Sequence, residues 1–118
     1  MALKISTRDV NGIAVLDLSG RIVFGDEAAM LRDKVKALVP TNSRLIMNLS
    51  QVSYIDSGGI GTLVSLFTTA RAAGGDIKLV NLTKRVGDLL QITKLITVFE
   101  TFDNETQAVQ AFAQKAVS

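Results

Sequence analysis

The sequence of 118 residues contains no cysteine and no histidine. Without cysteine, disulfide bonds and thiolate chemistry are excluded. Without histidine, the chain lacks the usual base of a Ser-His-Asp triad and the commonest transition-metal ligand. Scattered carboxylates alone are poor zinc ligands. We therefore expect no catalytic triad of this kind and no metal site.

Long apolar runs and blocks of like charge are also missing. No apolar run approaches the roughly 20 residues that a membrane-spanning helix needs. The first ten residues, MALKISTRDV, alternate in polarity and do not show the order of a signal peptide. Charged residues make up 20% of the chain and the net charge is only +2, so neither nucleic acid nor an anionic membrane is an expected partner. We expect a cytoplasmic protein.

The composition and length predict one folded domain over residues 1–118. Hydrophobic residues account for 47% of the sequence, which favours a packed core over disorder. A chain of this size buries roughly two-thirds of its unfolded surface and needs no cross-links to fold. No linker, low-complexity tract or convincing repeat divides it.

A hairpin is predicted at the N-terminus. The segment LKISTRD alternates in polarity as a half-buried strand does, and IAVLDLS follows after Asn11 and Gly12. Asn-Gly between two such segments is typical of a tight hairpin, because both residues tolerate the positive φ of a type I′ turn. The first two strands should therefore be antiparallel.

After the hairpin, strands alternate with helices. The pattern predicts a helix with Asp26 as N-cap that stops at Pro40, then a buried strand over 44–49 and a helix after Ser57. A strand over 76–82, a short helix over 83–93 and a last short strand, ITVFETF, follow. The chain closes with a C-terminal helix whose inward residues are Ala108, Val109, Phe112 and Ala116. Such an order implies right-handed crossovers between parallel strands. We predict an α/β fold, a mixed sheet with about four helices.

The segment SYIDSGGIG (53–61) lies where a predicted strand ends and a helix begins. Sites in such sheets tend to lie at the carboxyl ends of strands. A nucleophile elbow, G-x-S-x-G, would need glycine in place of Ile55. The dinucleotide pattern G-x-G-x-x-G would need glycine in place of Val64, and no lysine follows as a P-loop requires. These mismatches argue against a hydrolase or nucleotide-dependent enzyme, and we expect no cofactor.

Two interpretations of the sequence DSGG are open. In the structural one, Asp56 or Ser57 caps the following helix, and the glycines let its first turn pack closely against the sheet. In the functional one, the bare turn at Gly58 and Gly59 leaves room for another molecule. Each glycine in a helix costs on the order of 1 kcal/mol relative to alanine, so capping alone does not explain the pair.

In the order of its elements, essentially the whole chain resembles the STAS domain, specifically that of bacterial anti-sigma factor antagonists, and the most specific part is the stretch from Asn48 to Thr83. In that family a strand, a loop with Asp-Ser-[Ser/Thr]-Gly-[Leu/Ile]-Gly, a helix, a Gly-Gly break and a strand recur in this order, and here the stretch reads NLSQVSYIDSGGIGTLVSLFTTARAAGGDIKLVNLT. The resemblance implies a regulatory binding protein and not an enzyme. It implies Ser57 as the phosphoacceptor, and partner contacts at Asp56, Ser57, Gly58, Gly59 and Ile60.

The resemblance also implies partners. By this resemblance we expect an anti-sigma factor that is itself a serine kinase to phosphorylate Ser57, and a PP2C-type, metal-dependent phosphatase to reverse the change. The unmodified form binds the anti-sigma factor and thereby frees the sigma factor. Two positions depart from the family pattern: Gly58 replaces a second hydroxyl, and Val23 stands where an aspartate is common.

Other interpretations remain open. The domain could be a STAS subunit of a larger assembly, stressosome-like or transporter-associated, in which Ser57 is never modified. Nucleotide binding is a third interpretation, and the missing phosphate-loop lysine counts against it. The basic pair Lys84-Arg85 is interpreted as a solvated face in preference to a surface for an acidic partner. Tyr54 and Phe24 are candidates for either the core edge or a partner surface.

Overall fold

Five strands and four helices follow one another within residues 3–117. The computed structural model describes the backbone of residues 3–117 and the side chains of residues 3–113. The elements are β1 Lys4–Val10, β2 Ile13–Ile22, α1 Asp26–Leu38, β3 Arg44–Ile55, α2 Ser57–Ala72, β4 Asp76–Val80, α3 Lys84–Ile92, β5 Glu100–Phe102 and α4 Glu105–Val117, with a 3₁₀ turn at Leu95–Thr97 between α3 and β5.

The strands form one mixed sheet in the order β1-β2-β3-β4-β5. Strands β1 and β2 are antiparallel, and the other three pairs are parallel. Asn11 and Gly12, at the hairpin turn, have φ angles of 55° and 81°, as a type I′ turn requires. The predicted α/β fold, with its N-terminal hairpin and four helices, is confirmed.

A core lies on each face of the sheet. Strand residues alternate between the faces, so Leu16 and Met47 join the larger core with α1, α2 and α3. Their neighbours Val15 and Ile46 join a smaller core with α4. In α4 the predicted inward residues pack as expected: Ala108 and Phe112 are buried and Val109 packs against them, whereas the side chain of Ala116 lies outside the described residues.

Strand β3 is longer than the predicted 44–49. It continues to Ile55 because Val52 and Ile55 are still buried, with exposed residues between them. Beyond Asn48 it pairs only with β2, through two register shifts. The extension carries the β3–α2 junction past the end of β4.

Three other boundaries differ from the prediction. Asp26 is not an N-cap: it is the first residue of α1, and Gly25, with φ 108°, precedes it without a side-chain cap. Strand β4 ends at Val80, before the predicted residue 82. The segment ITVFETF contains part of the 3₁₀ turn as well as the three-residue β5, so the last strand is shorter than its apolar residues indicate. No helix within the described residues is long and apolar enough to cross a membrane.

Candidate functional site

Asp56 joins the carboxyl end of β3 to the start of α2. Its backbone is extended, with φ −95° and ψ −177°, and its Oδ1 accepts a hydrogen bond of 2.7 Å from the amide of Gly59. An aspartate in this position satisfies one of the amides that the first turn of a helix leaves unpaired. Asp56, and not Ser57, is therefore the cap of α2.

The same carboxylate also holds the loop that follows β2. The amide of Phe24 donates to both oxygens of Asp56 at 3.1 Å, and the amide of Asp56 donates to the carbonyl of Ile22 at 3.3 Å. The hydrogen bonds from Gly59 and then Phe24 hold the pKa of Asp56 below its usual range. Asp56 is thus a carboxylate at neutral pH and a fixed point between two loops.

Ser57 is the first residue of α2, and its side chain is exposed. Its hydroxyl makes no hydrogen bond with any described residue. The residue is therefore held in place by its backbone while its oxygen remains accessible to solvent and to another protein. An acceptor for a transferred phosphate must be accessible to a kinase, and the exposed hydroxyl of Ser57 meets this requirement.

The glycines after Ser57 have an explanation inside the chain. A Cβ at Gly59 would lie 1.9 Å from the carbonyl oxygen of Ile22, and a Cβ at Gly58 would lie 2.5 Å from the Cβ of Phe24. The chain's own residues at Ile22 and Phe24 therefore account for this pair without another molecule, and partner contact at the turn stays a prediction. At Gly61, in contrast, a Cβ would meet nothing within 4 Å, so only this glycine has no internal packing reason.

A groove of about 690 Å³ opens between the end of β3 and α3, and Ser57 lies on its border. We call it the α3 groove; it is lined mainly by apolar surface, with Tyr54, Ile55, Asp56, Ser57, Lys84, Arg85, Val86, Asp88, Leu89 and Ile92. The exposed fractions are 43% for Tyr54 and 78% for Ile92. The structure thus brings Ser57, Tyr54 and the basic pair to one surface.

Phe24 lies on the other side of the α2 start. It is 82% exposed and borders a smaller depression, of about 450 Å³, between α1 and α2 together with Gly58, Gly61 and Arg32. Of the predicted partner contacts, Ile60 is half-buried and Gly59 is buried. The accessible surface near Ser57 therefore comes largely from Phe24, Gly61 and the α3 groove.

Ile92 is the main site residue that the sequence analysis missed. It follows Leu89 at a spacing of three residues, which on a helix is also the pattern of a core face. The spacing alone does not show that Leu89 is partly buried and Ile92 exposed. Ile92 is exposed because α3 ends there and the chain turns away. No group of three or more histidine, cysteine, aspartate or glutamate side chains suited to a metal is present within the described residues.

Residues 4–108 match the sequence pattern of the STAS domain. The chain belongs to the STAS domain family. Among curated relatives, the anti-sigma-B factor antagonist of Bacillus subtilis (strain 168) is 35% identical over 83 residues, which cover 70% of this chain and 76% of the relative. The match covers more than two thirds of each chain, so the two proteins are related over most of the domain.

Solved structures share the fold. An anti-sigma factor antagonist from Mycobacterium paratuberculosis superimposes with a TM-score of 0.81 at 21% identity, over 95% of each chain. The anti-sigma factor antagonist SpoIIAA superimposes in its unphosphorylated form with a TM-score of 0.77 at 20% identity, over 92% of this chain and 95% of that one. Its phosphorylated form, described as a Bacillus cell fate determinant, gives 0.70 at 19% identity, over 93% and 98%. At these identities the likeness establishes the fold of this STAS domain and no more.

Proposed function

We propose that this STAS domain is an anti-sigma factor antagonist and that Ser57 is its phosphoacceptor. The unmodified form binds an anti-sigma factor that is itself a serine kinase, and phosphorylation of Ser57 ends the binding. One observation carries the proposal: Ser57 presents a free, exposed hydroxyl at a junction that Asp56 holds rigidly. The relative in Bacillus subtilis is named for the same antagonism, and SpoIIAA is known in a phosphorylated form.

The effect of the phosphate on partner binding follows from its charge. A phosphoserine carries roughly −1.5 to −2 charges at neutral pH. At an exposed helix N-terminus such charge is stabilised by only ~0.3–1 kcal/mol, and this term favours the modified domain itself. Weakening a partner a hundredfold takes roughly 2.8 kcal/mol. The main effect is therefore the cost of burying a dianion in a contact formed around a neutral hydroxyl.

The proposed contact surface has Ser57 at its centre. Asp56, Gly58 and Gly59 contribute to it by shaping the junction, since their side chains or hydrogen atoms face the chain's own loop. Ile60 and the unobstructed Gly61 contribute directly. A PP2C-type phosphatase would restore the free hydroxyl, the domain itself would have no catalytic role, and the exchange would take place in the cytoplasm with the sigma factor released.

The test combines phosphorylation and binding. The purified domain is mixed with Mg-ATP and, one at a time, with the serine-kinase anti-sigma factors encoded in the same genome, and the intact mass is recorded. We expect the wild-type domain to gain the mass of one phosphate and Ser57→Ala to gain none. Ser65→Ala, which replaces another exposed serine of the same helix, is the control and should still gain one phosphate. Retention of the phosphate in Ser57→Ala would exclude Ser57 as the acceptor.

The same preparation distinguishes the other interpretations. If no kinase of this class bound or modified the domain and it eluted as a large particle with other STAS proteins, the role would be that of an assembly subunit. Direct titration with ATP or GTP, without a kinase, tests nucleotide binding, for which we expect no signal.

A further inference from the structure

We propose that the α3 groove binds a segment of the anti-sigma factor that carries an apolar side chain next to a carboxylate, with Arg85 binding the carboxylate. The inference rests on the proposed function and names the chemistry of the partner at that site. It assigns to α3 a role that the sequence analysis did not favour, because the basic pair was interpreted there as a solvated face.

The apolar side chains of the groove are exposed, and no described helix or strand covers them. Tyr54 and Ile92 line it with 43% and 78% of their surface exposed, and Leu89, which also lines it, is only partly buried. No described residue covers the Ile92 side chain. Contiguous exposed apolar surface with a polar border marks protein-binding sites more often than solvent-facing ones.

Among the described residues, one cation in the charged part of the groove has no partner. Lys84 donates to Asp88 at 2.9 Å, and Asp56 is occupied by the amides of Gly59 and Phe24. Arg85 forms neither a hydrogen bond nor an ion pair with any described residue. Its place in the first turn of α3 also opposes the helix dipole, which favours anions there. Stability of the fold therefore does not account for Arg85, whereas a carboxylate on a partner would complement it.

The position of Ser57 indicates which protein binds in the α3 groove. Because Ser57 borders the same groove as Arg85, a kinase that reaches Ser57 comes beside this surface. A phosphate on Ser57 would bring its negative charge to the border where the partner's carboxylate binds. It would then occupy Arg85 and repel the carboxylate, so one modification would remove an attraction and add a repulsion.

The binding test uses the purified serine-kinase anti-sigma factors of the same genome and three forms of the domain. Arg85→Glu reverses the proposed charge and is compatible with folding, since glutamate is favoured in the first turn of a helix. Lys34→Glu, at an exposed position of α1 outside the groove, is the matched control. We expect Arg85→Glu to weaken binding by about tenfold or more and Lys34→Glu by less than about twofold.

A second measurement needs no partner. In the domain phosphorylated at Ser57, a ³¹P NMR titration gives the second pKa of the phosphate, ordinarily about 6. We expect the pKa of the phosphate to be lower in the wild type, where Arg85 is present, than in Arg85→Glu. The other charged residues of the groove, Asp56, Lys84 and Asp88, are the same in both proteins, so they do not cause a difference. The same pKa in both forms would overturn the shared-site part of the inference.

The outcomes separate this inference from the proposed function. If the wild-type domain bound its kinase and Arg85→Glu bound as tightly as Lys34→Glu, the groove would be excluded as the docking site, while the proposed function would stand. If the unmodified wild-type domain bound no kinase of this class, the proposed function would fail, and this inference with it.

Discussion

Both carboxylate oxygens of Asp56 accept a hydrogen bond from the backbone amide of Phe24, at 3.1 Å each, although the two residues lie 32 positions apart in the sequence. The residue that caps α2 therefore also fixes the loop between β2 and α1. That loop supplies the exposed Phe24, against which Gly58 packs, and it follows directly on Ile22, whose carbonyl Gly59 packs against. One carboxylate thus positions the surfaces on both sides of Ser57.

Replacement of this carboxylate should destabilise the domain. In Asp56→Ala the amides of Gly59 and Phe24 lose their acceptor, so α2 loses its cap and the β2–α1 loop loses its anchor. We expect a lower urea midpoint for Asp56→Ala than for the wild type. Asp26→Ala is the matched control, because Asp26 is an exposed aspartate at the start of α1 whose side chain forms no cap. Equal midpoints for the two variants would contradict the role of Asp56.

The effect of Asp56 should depend on pH with a definite sign. Its pKa is lower in the folded state than in the unfolded chain, where an aspartate titrates near about 3.9. The stabilisation is therefore complete above that unfolded value and is lost as the pH falls through the folded value. The difference in unfolding free energy between the wild type and Asp56→Ala should be constant above about pH 5 and shrink below about pH 4. A difference that grew on acidification would contradict this assignment.

Gly59 and Gly61, both near Ser57, should respond differently to alanine. Gly59→Ala would place a Cβ 1.9 Å from the carbonyl oxygen of Ile22, so we expect a loss of about 2–3 kcal/mol in the free energy of unfolding. Gly61→Ala meets nothing within 4 Å and removes a flexible residue from a helix, so we expect a gain of about 0.5–1 kcal/mol. Urea unfolding of both variants measures the difference. A destabilised Gly61→Ala would show that this turn has a packing constraint of its own.

Local signals predicted much of the fold and part of the site. The Asn11-Gly12 turn and the change from alternating to helical periodicity depend on neighbouring residues, and the structure confirms both. The start of α2 was also predictable, since a cap is specified by residues within one turn. The choice between Asp56 and Ser57 as the cap was not, because either side chain can accept the same amide.

The remaining features depend on residues far apart in sequence. The end of β3 was missed because Val52 and Ile55 stand among exposed residues, and only pairing with β2 makes that segment a strand. The reason for Gly58 and Gly59 lies in the loop at Ile22 and Phe24. The α3 groove likewise forms between elements about 30 positions apart. No local periodicity contains such contacts.

Phosphorylation should leave the fold unchanged. The Ser57 hydroxyl has no hydrogen bond to lose within the described residues, and a helix N-terminus accepts added negative charge. We expect backbone amide shifts to change within residues 55–62 and around the α3 groove, and to match elsewhere in the two forms. Heteronuclear NMR of both forms is the measurement. Shift changes spread through β1 or α4 would indicate a rearrangement of the domain instead of a local block.

A buried ion cluster on the α4 face should contribute to stability and not to partner binding. Lys78 is fully buried, donates to Asp76 at 3.1 Å and to Glu100, and lies 4.6 Å from the ring centre of Phe112. Lys78→Met keeps the length of the side chain but removes the cation beside the buried carboxylate of Asp76, so we expect a loss of about 2 kcal/mol. Lys36→Met, at an exposed position of α1, should change stability by less than about 0.5 kcal/mol. Unchanged stability in Lys78→Met would show that the cluster gives no net stabilisation.

The apolar side of the α3 groove should be separable from folding. Ile92 is 78% exposed at the end of α3, so Ile92→Ser removes little buried surface, and its helix propensity is similar. We expect a change in unfolding free energy within about 0.5 kcal/mol, together with weaker binding of the anti-sigma factor, because the partner loses an apolar contact that is desolvated only in the complex. Calorimetric titration and urea unfolding of the same preparation measure the two effects. Val98→Ser, at an exposed apolar position outside the groove, should leave binding unchanged; equal loss in both variants would indicate a general effect of surface polarity and not a contact at Ile92.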